Sequence, residues 1–493
     1  MSDTSGQSTE DLTQKLKSHI IEHHQLSINR DQYKSLSSLY DSKEIIHALS
    51  QLVKDKSISF PFKSYGTEGV IHIAMFPHLS NIEKVNNYEV PRDQYRELTL
   101  YNNVDLVHRT REGPDGNDYN DIDYLSDFFQ EEQRLKGRRS DCRESPLEFW
   151  ENDSHKVFEE IISNMQRNDK VQLDSHNIRE TLWKMTKECT IFKPSLVACI
   201  YRHFGAKRVL DISAGWGDRL LGAINCDLQL YLAADPNKSL SPGYDAVKNR
   251  FCDEKTRGNF IILPRPFQSI TDGEFDEISG GEKFDLVFTS PPFFDFEIYT
   301  NDEGQSVIEH PKLNDWIVHF LFVCLSNAWR QLKPGGHMCI HLSDVFKTKI
   351  CAVMNYFVLS LEGAISRESH RKIIGCIGGQ SKVFPAWVWK KREENEEEDV
   401  KGRQLARDSI FYNYPASTRA QGRDTGVQTE TETKGGAGES TETKEEKTEA
   451  GDKVEMKEMD DKVETRETGD NIEERREETE EMDTGDDPKM KRR

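Results

Sequence analysis

Apolar residues follow two different rhythms along the chain. Up to about residue 180 they recur at helical spacing, as in Leu39, Ile45, Ile46, Leu49 and Leu52, which gathers them on one face of a helix. A β-branched run at 70–75 predicts a strand among these helices, so the region is α-rich or mixed. Beyond it, short runs at 208–211, 230–234, 260–263, 284–288 and 337–341 alternate with helical stretches, notably 311–332, and 383–390 predicts a last strand. Such alternation predicts an α/β, Rossmann-like fold with a mostly parallel sheet and helices on both faces. Ligands of these sheets bind beyond the carboxyl ends of the strands, so chemistry is to be sought just after each run. From 393 onward Glu, Lys, Thr and Gly dominate, and no aromatic residue follows Tyr414. A segment this poor in apolar surface cannot offset its ordering entropy and is expected to be a disordered acidic tail. The expected organisation is thus an N-terminal region at 1–180 as candidate for substrate recognition, a catalytic domain at 181–392 and a tail at 393–493.

Charge changes this picture only modestly. The 493 residues carry a formal net charge of −21, of which about 12 negative charges follow Lys390, leaving about −9 on the rest. A whole-chain basic footprint for duplex nucleic acid is missing, although a local basic patch remains open. The nine cysteines contain no CxxC pair, and no secretory signal or long apolar span precedes them. We therefore expect an intracellular, reduced protein without membrane contact or structural metal, with Cys199, Cys324 and Cys339 as small buried hydrophobes. The basic ending PKMKRR fits a nuclear import signal as well as a chance cluster, and nuclear residence is preferred to cytoplasmic. In 124–150, acidic and aromatic residues precede Arg134, Lys136, Arg138, Arg139 and Arg143. These form either a lip that contacts substrate phosphates or a solvated helix end.

Candidate chemistry begins where the strand at 208–211 runs into DISAGWGD. Gly215 and Gly217 allow close approach of a ligand to the backbone, with Asp211, Ser213 and Ala214 beside them. An acidic side chain and free backbone N–H groups suit the ammonium and carboxylate of S-adenosylmethionine (SAM), whereas the GxGxxG pattern of dinucleotide sites is absent. After the second strand, Asp235 either accepts from both ribose hydroxyls of an adenosine or initiates an Asp-Pro turn. Phe267, after the third strand, is a candidate border for adenine.

The fourth strand empties into Ser290-Pro291-Pro292-Phe293. A strand followed by SPPF, downstream of DISAGWGD and ADP, resembles the class I SAM-dependent amino-methyltransferases that modify cytosine N4 or adenine N6. The family's tetrapeptide reads Asp, Asn or Ser, then Pro-Pro, then an aromatic residue, and the Ser form is more typical of cytosine-N4 enzymes. The resemblance covers about 200 residues. It implies SAM as cofactor and DNA or RNA as substrate. Ser290 and the Pro291 carbonyl would accept hydrogen bonds from the target amine, Pro292 would stiffen the loop, and Phe293 would stack on the ring. The TIFKP segment with Lys193 resembles the family's element bordering the cofactor, and QLKPGGH resembles a turn frequent in class I methyltransferases. Two departures stand out. Ile212-Ser213 replace the usual aromatic after the loop's Asp, leaving Trp216 or Phe192 to pack the cofactor, and no target-recognition domain follows. The same loop could instead methylate a protein amide or small molecule, or belong to a catalytically silent SAM-fold binding module.

Overall fold

The strands expected between residues 208 and 390 pair into one sheet whose parallel strands are buried on both faces. In chain order the longer strands and one short pair are β1 (Glu83–Glu89), β2 (Asn103–His108), β3 (Arg138–Arg139), β4 (Arg208–Asp211), β5 (Leu230–Ala234), β6 (Phe260–Leu263), β7 (Phe284–Thr289), β8 (Glu297–Ile298), β9 (Leu332–His341), β10 (Arg371–Gly378) and β11 (Lys382–Lys391). The computed structural model describes residues 4–23, 25–63, 76, 83–89, 103–108, 123–168, 170–344, 350–365, 371–378, 382–398, 400 and 404, all between Met1 and Gly426. The strand expected at 70–75 lies outside them, as does the acidic tail expected at 393–493, with its basic ending, apart from 393–398, 400 and 404.

The main sheet runs β1-β2-β10-β11-β9-β7-β4-β5-β6. β6, β5, β4, β7 and β9 are mutually parallel, while β11 is antiparallel to both β9 and β10. This is the Rossmann-like, mostly parallel sheet predicted by the alternation. Successive residues feed opposite faces, as strand geometry requires. Val209, Leu286, Phe288 and Cys339 pack into one core with Cys199, whereas Leu210, Val287, Met338 and Ile340 pack into the other with Cys324. All three named cysteines are buried as expected.

Two local expectations change. The helix expected at 311–332 is composite: Trp316–Leu321 winds as a π-helix before the α-helix Phe322–Gln331, and Leu332 already belongs to β9. Within the wider turn, Trp316 is fully buried and its Nε1 donates to Ser306 Oγ at 3.0 Å. The LKPGG segment is an irregular strand entry, with a register shift between Leu332 and His337 and Gly335 at φ +76°.

Helices Thr4–His23, Arg30–Ser37, Ser42–Lys54, Pro146–Arg167 and Ser175–Met185 enclose a third apolar core. Ile45, Leu49 and Leu52 lie inside it on helix Ser42–Lys54, while Leu39 precedes that helix and is exposed. The N-terminal region also contributes to the main sheet, since β2 pairs with β10.

Helices Pro194–His203 and Asp218–Asn225 meet where Gly222 has no side chain. A Cβ there would lie 2.5 Å from Val197 Cγ1 and 3.2 Å from the Ala198 nitrogen. Gly222→Val is expected to destabilise the protein by about 1–3 kcal/mol through overpacking, read as a lower urea midpoint at unchanged slope.

Candidate active site

β4, β5, β6, β7 and β9 open at their carboxyl ends into one cavity of about 520 Å³. The location follows from connectivity. From β4 the chain steps outward to β5 and β6, then returns to place β7 on the other side of β4, and a crevice forms where the order reverses. Ser213, Gly215, Asp235, Phe267, Lys193 and all four residues Ser290, Pro291, Pro292 and Phe293 line the cavity. Trp216 and Phe192 line it as well.

Asp211, Ala214 and Gly217 do not line it, and each has a structural task. Gly217, at φ +94°, turns the loop into the helix Asp218–Asn225, and Gly215 is left-handed at φ +61°. The Ala214 N–H donates to the Ala234 carbonyl at 2.9 Å, joining the loops after β4 and β5. Asp211 is fully buried. Its Oδ2 accepts from Arg219 Nε at 2.6 Å and from the Tyr231 hydroxyl at 2.7 Å, and its Oδ1 accepts from the Ser213 N–H at 3.1 Å. The sequence put Asp211 itself against a ligand; in the structure its charge is turned to Arg219, whose guanidinium also donates to the Ser213 carbonyl and lies on the cavity wall.

Beside Arg219, Asp218 is 2% exposed and lines the cavity. Its Oδ1 has no hydrogen-bond partner among the described residues. Burial pushes its pKa up to about 7, against the opposing influence of Ser126 and Arg219. Asp235, just beyond β5, accepts from the Gly215 N–H at 2.9 Å through Oδ2 and from the Asn237 N–H at 3.0 Å through Oδ1. Burial raises its pKa to about 6, while the two backbone donors pull the other way.

Across the cavity, Ser290 Oγ lies 3.0 Å from Nδ1 of His341, the last residue of β9. The imidazole ring packs against Phe192 at 5.0 Å and Phe293 at 5.8 Å between centroids. Burial, with Arg219 nearby, lowers the His341 pKa to about 4, so the ring is neutral at physiological pH. Phe294 adopts φ +55°, a strained conformation for a bulky residue, and its ring is buried against Trp316.

The loop beyond is moored to the N-terminal region. β8 pairs with β3, and the Ser140 N–H donates to the Phe296 carbonyl at 3.0 Å. Glu297 accepts from both the N–H and hydroxyl of Thr190 at 2.7 Å, and Trp216 Nε1 donates to the Thr190 carbonyl at 3.0 Å. These bonds hold the stretch that carries Phe192 and Lys193. The basic cluster at 134–143 divides. Arg134 is no lip residue: it is 1% exposed and bonds to Asp127, Glu188 and the Cys189 carbonyl. Arg139 reaches the cavity wall over the Phe296 ring, at 4.7 Å, and pairs with Asp141.

Sequence reasoning missed Asp218, Arg219, His341 and Glu297 as members of the site. The carboxyl-end rule extended to β9 would have reached His341, and the two residues after Gly217 were legible as a paired charge. Glu297 gave no local signal.

No family model matches the chain, and no curated protein matches it. Among solved structures it is similar to TrmN from Thermus thermophilus, at 16% identity over 41% of this chain and 49% of that one, with a TM-score of 0.27. It is also similar to a conserved hypothetical protein from Streptococcus pyogenes, at 15% identity over 40% of this chain and 96% of that one, with a TM-score of 0.23. A third is the glycopeptide N-methyltransferase MtfA complexed with sinefungin, at 12% identity over 41% of this chain and 69% of that one, with a TM-score of 0.22. The chain thus matches about half the length of TrmN, and at these scores the likeness carries no argument about activity.

Proposed function

We propose that this protein is a SAM-dependent N-methyltransferase that transfers a methyl group to an exocyclic amino nitrogen of a nucleobase in DNA or RNA, cytosine N4 before adenine N6. The observation that carries this reading is the convergence of Asp235 and Ser290-Pro291-Pro292-Phe293 on one cavity at the carboxyl ends of β5 and β7.

The residues present fit the cofactor. Asp218 and Arg219, neighbours on the cavity wall, present opposite charges to the ammonium and carboxylate of a zwitterionic amino acid. Each Asp235 oxygen already takes one backbone N–H and keeps a lone pair for a ribose hydroxyl. Phe267, Trp216, Phe192 and Lys193 supply the remaining walls. Bound there, SAM supplies an electrophilic methyl group on a sulfonium.

The chain's own groups then deal with the amine. Its lone pair is delocalised into the ring, so acceptors that draw on its protons favour pyramidal geometry and raise its nucleophilicity. Ser290 Oγ and the Pro291 carbonyl serve as those acceptors, prolines at 291 and 292 stiffen the loop, and Phe293 stacks on the ring. Positioning and electrostatic support supply most of the rate enhancement, and no strong base is needed.

Incubation with methyl-labelled SAM and separate DNA, RNA and protein fractions, followed by mass spectrometry of nucleosides, tests the reading. N-methylated cytidine or adenosine species are expected, and label confined to protein or small molecules would sink it. A pH dependence follows from Asp235. Its carboxylate form is the one that accepts from ribose, so protonation below about pH 6 opposes binding and deprotonation above it favours binding. Calorimetry should show SAM affinity rising between about pH 5 and about pH 8, and Asp235→Asn should remove the part of that rise centred near pH 6 while leaving the part that Asp218 contributes near pH 7.

A further inference from the structure

We propose that His341 is a positioning residue for Ser290, with its Nδ1 accepting the Ser290 hydroxyl proton so that Ser290 Oγ faces the cavity as an acceptor only. The inference rests on the amino-methyltransferase reading and adds to it a residue that no sequence motif marked.

The argument starts from the ambiguity of a hydroxyl. An Asp or Asn oxygen accepts hydrogen bonds whatever surrounds it, whereas a serine carries one proton that can point anywhere. A serine whose proton points at the incoming amine would compete with the amine's own protons. A base within bonding distance on the far side removes the ambiguity, because the hydroxyl has only that proton to give. His341 Nδ1, at 3.0 Å from Ser290 Oγ, is such a base.

Three features suit His341 to the role. Its ring is neutral at physiological pH, and a neutral imidazole retains one acceptor nitrogen. Its ring packs against Phe192 and Phe293, the latter being the ring assigned to stacking. It stands at the end of β9, which pairs in parallel with β7 through Ile340 and Thr289, so the backbone fixes its distance from Ser290.

The first test needs no turnover. In full-length protein with isotopically labelled histidine, His341 is assigned by comparison with the His341→Asn spectrum. Its Nδ1 should resonate as an unprotonated imidazole nitrogen and its Nε2 as a protonated one, and the Ser290→Ala variant should shift both. A protonated Nδ1 at neutral pH would overturn the inference.

The second test is kinetic. His341→Leu should lower kcat about 10-fold to 100-fold with SAM Kd and substrate KM within about twofold of wild type. His341→Asn should restore most of the loss, because its Oδ1 takes the place of Nδ1 and accepts the same proton. Equal loss in both variants, or full activity in His341→Leu, counts against the role. Should the wild-type protein methylate no nucleobase, the amino-methyltransferase reading fails, and the tautomer measurement still decides how Ser290 and His341 share their proton.

Discussion

Ser290→Ala is expected to lower kcat by about 100-fold while leaving SAM affinity within about twofold. The separation follows from the layout. Ser290 lies at the carboxyl end of β7, while the groups assigned to the cofactor come from the segments after β4, β5 and β6 and from the stretch before helix Pro194–His203. An acceptor that acts on the amine as it becomes pyramidal contributes in the transition state and little in the ground state, so its loss falls on the chemical step. Removing the hydroxyl also leaves His341 Nδ1 without the Ser290 contact, which costs about 1 kcal/mol of stability. Single-turnover kinetics at saturating SAM, read beside a denaturation curve, separates the two effects. Weakened SAM binding of the same size as the rate loss would mean that Ser290 belongs to the cofactor subsite.

Asp235→Ala is expected to weaken SAM binding by about 100-fold, as two charge-assisted hydrogen bonds of about 1.5 kcal/mol each disappear. The Gly215 and Asn237 N–H groups also lose their acceptor, so the loop after β4 loosens with the same change. Once saturated with cofactor, the variant should retain most of its rate, in contrast to Ser290→Ala. Titration calorimetry checks the first expectation and turnover at high SAM the second. Wild-type affinity in Asp235→Ala would remove Asp235 from the ribose site and leave it as a structural brace between two loops.

Much of the fold was legible because strands and helices impose their own periods. The runs at 208–211, 230–234 and 260–263 became β4, β5 and β6 with those boundaries. The tetrapeptide after β7 lines the cavity. Local pattern failed where a neighbour distant in sequence decided the outcome. Helical spacing at 311–332 gave no warning of the π-helix, in which Trp316 is buried and bonded to Ser306. The LKPGG segment resembled a turn, but pairing with β7 drew Leu332 into the sheet.

The same division runs through the site. Sequence alone placed the glycine loop, Asp235, Phe267 and SPPF at strand ends, because strand period and turn chemistry are local properties. It also set the order in which these pieces occur. Only the tertiary structure decided that Asp211 spends its charge on Arg219 and Tyr231, that Asp218 is buried on the cavity wall, and that His341 meets Ser290 from another strand. Each of these depends on which buried groups lie within about 3 Å of one another, and hydrogen bonding in a low-dielectric interior makes that distance decisive.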